Sequence, residues 1–290
     1  MITPIAVLAD AGLTDGSVTD GTDAATSDGG LTSLCRASLP SYETTYNGTI
    51  MSCELVTADG GSALHVVYTP YCYGGRRPDG LLPPVGPGRS SELAHWLACS
   101  AHLEAASIDA FLILARELEA HQAPAILVQA SRAAARDELR HAAAMSWLAL
   151  RRGSKPPVVQ VTRGKESRSL EDIAHENAAE GCVRETFAAL VACRQAAAAS
   201  DPSIRRVMGE IAHDEIRHAS LSWAVDRWAS GMLGRSARRR LQDARRETVE
   251  KLLREVSTPI SADLRKNAGL PGKDEGVAIM AVLRASALAA

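Results

Sequence analysis

Two copies of one short string carry the chemistry in this sequence. Asp137-Glu138-Leu139-Arg140-His141 returns as Asp214-Glu215-Ile216-Arg217-His218. Each copy holds a Glu-x-x-His pair, and three residues turn an α-helix through about 300°. A carboxylate and an imidazole therefore leave one face a turn apart and reach a common point. A single such pair is ordinary in a charged helix. Two pairs with the same Asp in front and the same Arg inside form a repeat.

The repeat extends upstream. Glu104 precedes Glu138 by 34 residues, and Glu180 precedes Glu215 by 35. The only two Phe, Phe111 and Phe187, each follow one of these Glu by seven residues. Seven residues is nearly two helical turns, so each Phe is expected on the face of its Glu. The unit is a helix with an inward Glu, followed by a helix with Glu-x-x-His. Its two copies give Glu104, Glu138, His141, Glu180, Glu215 and His218 as candidate metal ligands. Four carboxylates and two imidazoles suit two hard-to-borderline cations that share bridging carboxylates and keep open positions. The competing reading, exposed carboxylates in salt bridges, fits the flanks poorly. Ser131, Ala134, Met145 and Leu148 fall near Glu138 and His141, and Val207, Ile211 and Val225 near Glu215 and His218. An unpaired charge on an apolar face is costly.

This pattern resembles the ferritin-like superfamily, in particular its di-iron carboxylate oxygenases. Asp-Glu-x-Arg-His is similar to the string in the hydroxylase subunits of bacterial multicomponent monooxygenases, and the resemblance spans roughly residues 90–230. It implies a mainly α fold, a ferritin-like four-helix bundle, and two iron ions, with Fe/Mn and Mn/Mn as variants. It implies O2, a small organic substrate and an electron donor. It also implies that the Asp of one motif holds the His of the other, Asp137 to His218 and Asp214 to His141. Arg140 and Arg217 then either pair with carboxylates beneath the site or are simply solvated. Glu180 is the expected mobile carboxylate. Glu176 and Arg184 share its face at i−4 and i+4 and join it as catalytic candidates. Glu176 is a further ligand, a proton carrier or a salt-bridge partner of Arg184. Ile108, Phe111, Val183 and Phe187 are the expected pocket lining. An iron-oxidising or iron-storing protein and a non-catalytic metal-binding bundle are the alternatives to an oxidase or oxygenase.

The elements that must position these residues are legible from punctuation. Ser91 is a candidate N-cap for a helix to about residue 121, and a break at 122–124 leads to a second helix to about 152. A long Pro-containing connection follows. A third helix spans about 170–199 with Ser169 as cap. Asp201-Pro202 reads as N-cap and first residue of a fourth, to about 230. Short, long and short connections are the order that a crossover bundle needs. A fifth helix over about 236–256 carries Arg238–Arg240 and Arg245-Arg246 interleaved with acids, which reads as a solvated face. An apolar helix over 275–288 is expected to pack on the bundle or on a second copy in a homodimer.

Upstream of the helices the composition changes. Residues 1–34 hold five Asp and no Lys, Arg or Glu and read as a disordered acidic segment. Residues 35–88 read as a small β-rich module and linker. Strands are expected over 41–46, 49–56 and 62–69, with Asn47-Gly48 turning the first hairpin. The linker is Gly- and Pro-rich 74–88. The domain division is thus 1–34, 35–88, a helical unit 89–230 and a helical extension 231–290. Cys35, Cys53 and Cys72 allow a disulfide if the protein is exported, whereas Cys99, Cys182 and Cys193 fall on helices as small apolar residues. Net charge is −2, which does not favour nucleic acid. No run of 18 apolar residues and no basic leader is present. A cytoplasmic protein without a membrane span is the expectation.

Overall fold

The computed structural model describes residues 49–58, 61–69, 74–82, 91–162, 168–257 and 260–289. Within them the protein is mainly α. The backbone forms one antiparallel hairpin of β1 (Thr49–Ala58) and β2 (Gly61–Thr69). The expected strand over 41–46 and the acidic segment 1–34 lie outside the described residues.

Helix α1 (Glu92–Ala120) begins where Ser91 Oγ accepts from the Ala94 N–H. It turns through His121–Pro124 into α2 (Ala125–Leu150). Gln122 takes a positive φ of 57° in that turn. After the crossover, Ser169 caps α3 (Leu170–Glu176). The chain then runs without a break through a π-helical segment, Asn177–Glu185, into α4 (Thr186–Ala198). Asp201 accepts from the Ser203 and Ile204 N–H groups to start α5 (Pro202–Met232), with proline in the first turn. Such a cap stabilises a helix by about 1 kcal/mol. Helix α6 (Arg235–Val256), a short π turn (Leu264–Ala268) and α7 (Lys273–Ala289) complete the chain. Helix α1 packs along α2, α4 along α5, and α2 faces α5; α7 packs on α6 and α4.

Two apolar clusters fill the interior. One holds Trp96, Leu97, Met145, Leu148, Phe187, Ile204 and Ile211. The other holds Phe111, Leu114, Leu118, Leu127, Ile173, Leu221 and Val225. Along α1 the order is Ala101 of the first, then Glu104, then Phe111 of the second. Along α2 it is Ala134 of the second, then Glu138 and His141, then Met145 of the first. Along α5 it is Ile211, then Glu215 and His218, then Leu221. The candidate ligands thus form a polar layer between two apolar ones. Helix α1 is long and apolar enough to cross a membrane by length and composition. Its Glu104, His102 and Ser107 are buried among the other helices.

Two readings change here. The first half of the expected linker is pinned to the helices. Gly80 and Leu82 exchange backbone hydrogen bonds with Thr162 and Gln160, and the Arg76 guanidinium is buried against α3 and the π segment. Cys99 is not a plain apolar residue: its sulfur is in a disulfide whose partner is not among the residues with described side chains. Cys182 is a buried free thiol and Cys193 an exposed one.

Gly181 sits in the π segment where three groups close in. A Cβ there would lie 2.6 Å from Asn177 Oδ1, 2.7 Å from Ser222 Oγ and 2.9 Å from an Arg76 nitrogen. Gly209, on the exposed side of α5, would meet nothing within 4 Å. Gly181→Ala should therefore cost about 1–3 kcal/mol by overpacking. Gly209→Ala should gain about 0.5–1 kcal/mol by relieving a flexible helical position. Thermal melts of the two variants should move in opposite directions.

Candidate metal centre

Six side chains converge in the polar layer. Glu104 comes from α1, Glu138 and His141 from α2, Glu185 from the end of the π segment, and Glu215 and His218 from α5. All are buried. Their donor atoms form two overlapping sets, Glu104, Glu138, His141 and Glu215 in one, and Glu185, Glu215 and His218 in the other. The Nδ1 atom of His141 lies 3.6 Å from Glu104, 3.5 Å from Glu138 and 3.6 Å from Glu215. The Nδ1 atom of His218 lies 3.2 Å from Glu138, 3.5 Å from Glu215 and 4.0 Å from Glu185. Glu138 and Glu215 therefore face both imidazoles, and Glu104 and Glu185 stand at opposite ends. Phe111 packs on the His218 ring with centroids 5.0 Å apart.

The far nitrogen of each imidazole is held by the carboxylate of the other motif. His141 Nε2 is 3.0 Å from Asp214 Oδ2, and His218 Nε2 is 3.2 Å from Asp137 Oδ2. This is the crossed pairing that the resemblance implies. It fixes ring orientation and aims both Nδ1 atoms inward. Arg140 donates to Asp137 at 2.8 Å and Asp214 at 2.9 Å, and Arg217 donates to Asp137 at 3.0 Å and pairs with Asp214 at 2.7 Å. The two arginines are more than merely solvated, although both side chains reach solvent. Burial works against the Asp137 charge. Hydrogen bonds from His218 and Arg140 outweigh it and hold this carboxyl below the usual range.

The residues fit a cation. Glu104 Oε2, both oxygens of Glu138, Glu185 and Glu215, and the Nδ1 atoms of His141 and His218 are all buried without a hydrogen-bond partner. Orphaned polar atoms are rare in native interiors, and here they point at one another. Burial, and then the Glu138 charge, push the Glu104 carboxyl up to about 7. Burial and the Glu215 charge push Glu185 well above the carboxylate range. Burial disfavours a charged His141, but the Glu104 and Glu138 carboxylates override it and lift the imidazole to about 11. A mixed oxygen and nitrogen donor set suits iron, manganese or zinc more than magnesium or calcium.

The structure gathers Glu185 in this set where the sequence reading has Glu180. Glu180 pairs with Arg184 at 3.3 Å through Oε1, with its Oε2 buried and without a hydrogen-bond partner. The seven-residue spacing to Phe187 equals two turns only where every turn is α. In a π segment the hydrogen bonds close on i+5 and the face shifts. A local signal does favour Glu185. Glu180 has Arg184 at i+4 as a ready partner. Positions i±3 and i±4 of Glu185 are Gly181, Cys182, Ala188 and Ala189. A buried Glu without a nearby cation on its own helix needs positive charge from elsewhere.

The other catalytic candidates also lie outside the cluster. Glu176 does not pair with Arg184. It accepts from Arg76 at 3.1 Å and from Arg168. Arg184 bridges Glu180 and Glu255, the latter at 3.2 Å. Sequence reasoning missed Arg76, whose guanidinium also donates to Asn177 Oδ1 at 2.9 Å. Of the four expected pocket residues, Phe187 lines a cleft beside the cluster. Phe111 and Val183 are sealed in the apolar clusters, and Ile108 is half-buried.

Comparison with protein-family models, with curated proteins and with solved structures finds no match for this chain. The donor geometry therefore defines the class that can be stated: a helical protein with a buried Glu/His cluster able to hold metal.

Two outcomes test this geometry. Glu185→Ala should cut bound metal strongly after anaerobic iron loading, whereas Glu180→Ala should keep it; elemental analysis reads both. Loading should also release protons, since ligands bind metal deprotonated. His141 gives one up at any pH near neutrality, and Glu104 adds to the release as pH falls through about 7. Metal affinity should therefore weaken toward acid pH, which titration in weakly buffered solution measures directly.

Proposed function

We propose that this chain is a ferritin-like, di-iron oxidase or oxygenase that uses O2 to oxidise a small organic substrate. One observation carries the reading: two Nδ1 atoms and two central carboxylates, Glu138 and Glu215, face one another, with one further Glu at each end. That donor set has the pattern of a shared two-metal site between helices. The helical unit would then be a four-helix bundle made of α1, α2, the α3-to-α4 run with its π segment, and α5.

Bound iron would supply the redox chemistry with O2. The chain supplies the rest. Glu138 and Glu215 would bridge the two positions, His141 with Glu104 would hold one, and His218 with Glu185 the other. Asp137 and Asp214 keep the imidazoles in the tautomer that presents Nδ1. The two apolar clusters exclude water above and below the layer, which protects reactive species from side reactions. A π segment at a functional centre is a recurrent device for re-aiming a side chain, and here it delivers Glu185.

The test is stoichiometry with turnover. Iron-reconstituted protein should hold two metal ions per chain, one for each donor set, and should consume O2 after reduction. Glu138→Ala and Glu215→Ala should each lose most of the metal. One metal or fewer per chain in the parent protein would remove the dinuclear reading. Steady turnover of Fe(II) alone into a retained ferric mineral would make it an iron store instead.

A further inference from the structure

Gly74, Gly75 and Arg76 follow one another on a single segment, and each touches the frame of the polar layer. A Cβ on Gly74 would lie 2.9 Å from Glu104 Oε1, and one on Gly75 would overlap Ser107 Oγ at 1.8 Å. Both glycines have positive φ, 148° and 52°, which glycine adopts without strain. Bare backbone therefore lies close on α1, and Arg76 enters the interior directly after it. The Arg76 side chain is 1% exposed.

Arg76 reaches the point where α3 gives way to the π segment. Its Nε and one terminal nitrogen donate to Glu176 Oε1 at 3.2 and 3.1 Å. The other terminal nitrogen donates to Asn177 Oδ1 at 2.9 Å. The guanidinium fork thus spans the last residue of α3 and the first of the π segment. Asn177 is held from its other end as well, since its Nδ2 donates to the Ser222 carbonyl of α5 at 2.9 Å. Outward, Glu176 accepts from Arg168, which donates to Glu117 of α1 at 2.7 and 2.8 Å. At Gly181 the missing Cβ leaves room for Arg76, Asn177 and Ser222 together. Gly181 lies four residues before Glu185, and Ser222 lies four residues after His218. The fork therefore acts about one helical turn from Glu185 and His218. Burial and the Glu215 charge raise the Glu185 carboxyl, and the Arg76 charge is among those that oppose the rise.

We infer that Arg76 is a positioning residue for one of the two metal positions: it clamps Glu176 to Asn177 and so holds the π segment in the register that keeps Glu185 beside Glu215 and His218. A π segment is a rare form of helix, and contacts specific to it must hold it. Without the fork, buried acceptors on Glu176 and Asn177 lose a donor, which is costly. The segment then relaxes toward α geometry, in which each residue of slip turns a side chain by about 100°. The other donor set, Glu104, Glu138, His141 and Glu215, takes no residue from the segment and is an internal reference. The inference rests on the dinuclear reading for the metal it affects, whereas the clamp belongs to the metal-free chain.

The experiment titrates Fe(II) anaerobically into the full-length parent, Arg76→Gln, Arg76→Lys and Arg168→Gln. Amide hydrogen exchange is measured by mass spectrometry on the metal-free forms. The parent should bind two equivalents. Arg76→Gln should weaken one equivalent by about tenfold or more and leave the other within about threefold. Its Asn177–Glu185 amides should exchange at least about tenfold faster, with α2 unchanged. Arg76→Lys keeps the buried cation and loses the fork, so it should show the same selective loss. It decides the matter if Arg76→Gln does not fold. Arg168→Gln breaks the same chain of charges one link further out, and should lower the melting temperature while sparing both equivalents. Equal weakening of both equivalents, or of neither, would overturn the inference. So would an Arg168→Gln effect on metal as large as that of Arg76→Gln, or unchanged exchange in the π segment. Fewer than two equivalents in the parent would remove the dinuclear reading alone, and the clamp would then stand or fall on the exchange pattern.

Discussion

Placing four carboxylates between two apolar clusters is the constraint on which the rest of this structure depends. Ionised carboxylates in such a place are expensive unless positive charge meets them. Two imidazoles share the layer with them. Burial and mutual repulsion raise the Glu104 and Glu185 carboxyls, and the neighbouring carboxylates raise His141, so protons are favoured in the layer. Metal ions are the more complete answer, since they satisfy the orphaned oxygens and both Nδ1 atoms at once. Function and stability meet in the same six side chains: whatever fills the layer also removes an electrostatic load from the core.

Positive charge is spent instead on the far side of the imidazoles. Asp137, Asp214, Arg140 and Arg217 close into a ring in which each arginine contacts both aspartates. The arginines are exposed, 61% for Arg140 and 48% for Arg217, so solvent screens them and their value as isolated ion pairs is small. Their effect is positional. They hold the aspartates, the aspartates hold the imidazole Nε2 atoms, and the Nδ1 atoms are left no direction but inward. Because each aspartate serves the histidine of the other helix, the ring also locks α2 to α5 in register.

Much of this was legible in the sequence because the repeated motif sits on ordinary α-helix. Spacing alone placed Glu138 with His141 and Glu215 with His218, and Ser91, Ser169 and Asp201 marked the helix starts that the structure uses as caps. What was not legible follows from one local departure. Helical spacing rules assume 3.6 residues per turn, and Asn177–Glu185 does not obey them. The reason is tertiary. Asn177, Ser222 and Arg76 crowd the backbone at Gly181, and Arg76 arrives from a segment that composition alone reads as linker. Long-range packing of this kind leaves no periodic trace in sequence. The asymmetry between Glu180 and Glu185 does leave one, in the single Arg at i+4.

The π segment also sets the two glutamates apart. In an unbroken α-helix, residues five apart lie about 140° around the axis. In a π segment the hydrogen bonds close on i+5 and the faces shift. Glu185 then enters the polar layer, while Glu180 pairs with Arg184, which also reaches Glu255. One irregular turn thus brings the fourth carboxylate into the donor set. The two halves of the repeat differ for this reason. Glu104, on regular helix, points into the donor set and packs tightly against the Gly74 backbone, whereas Glu180, at the matching place in the other half, lies in the π segment and pairs with Arg184 while Glu185 supplies the inward carboxylate.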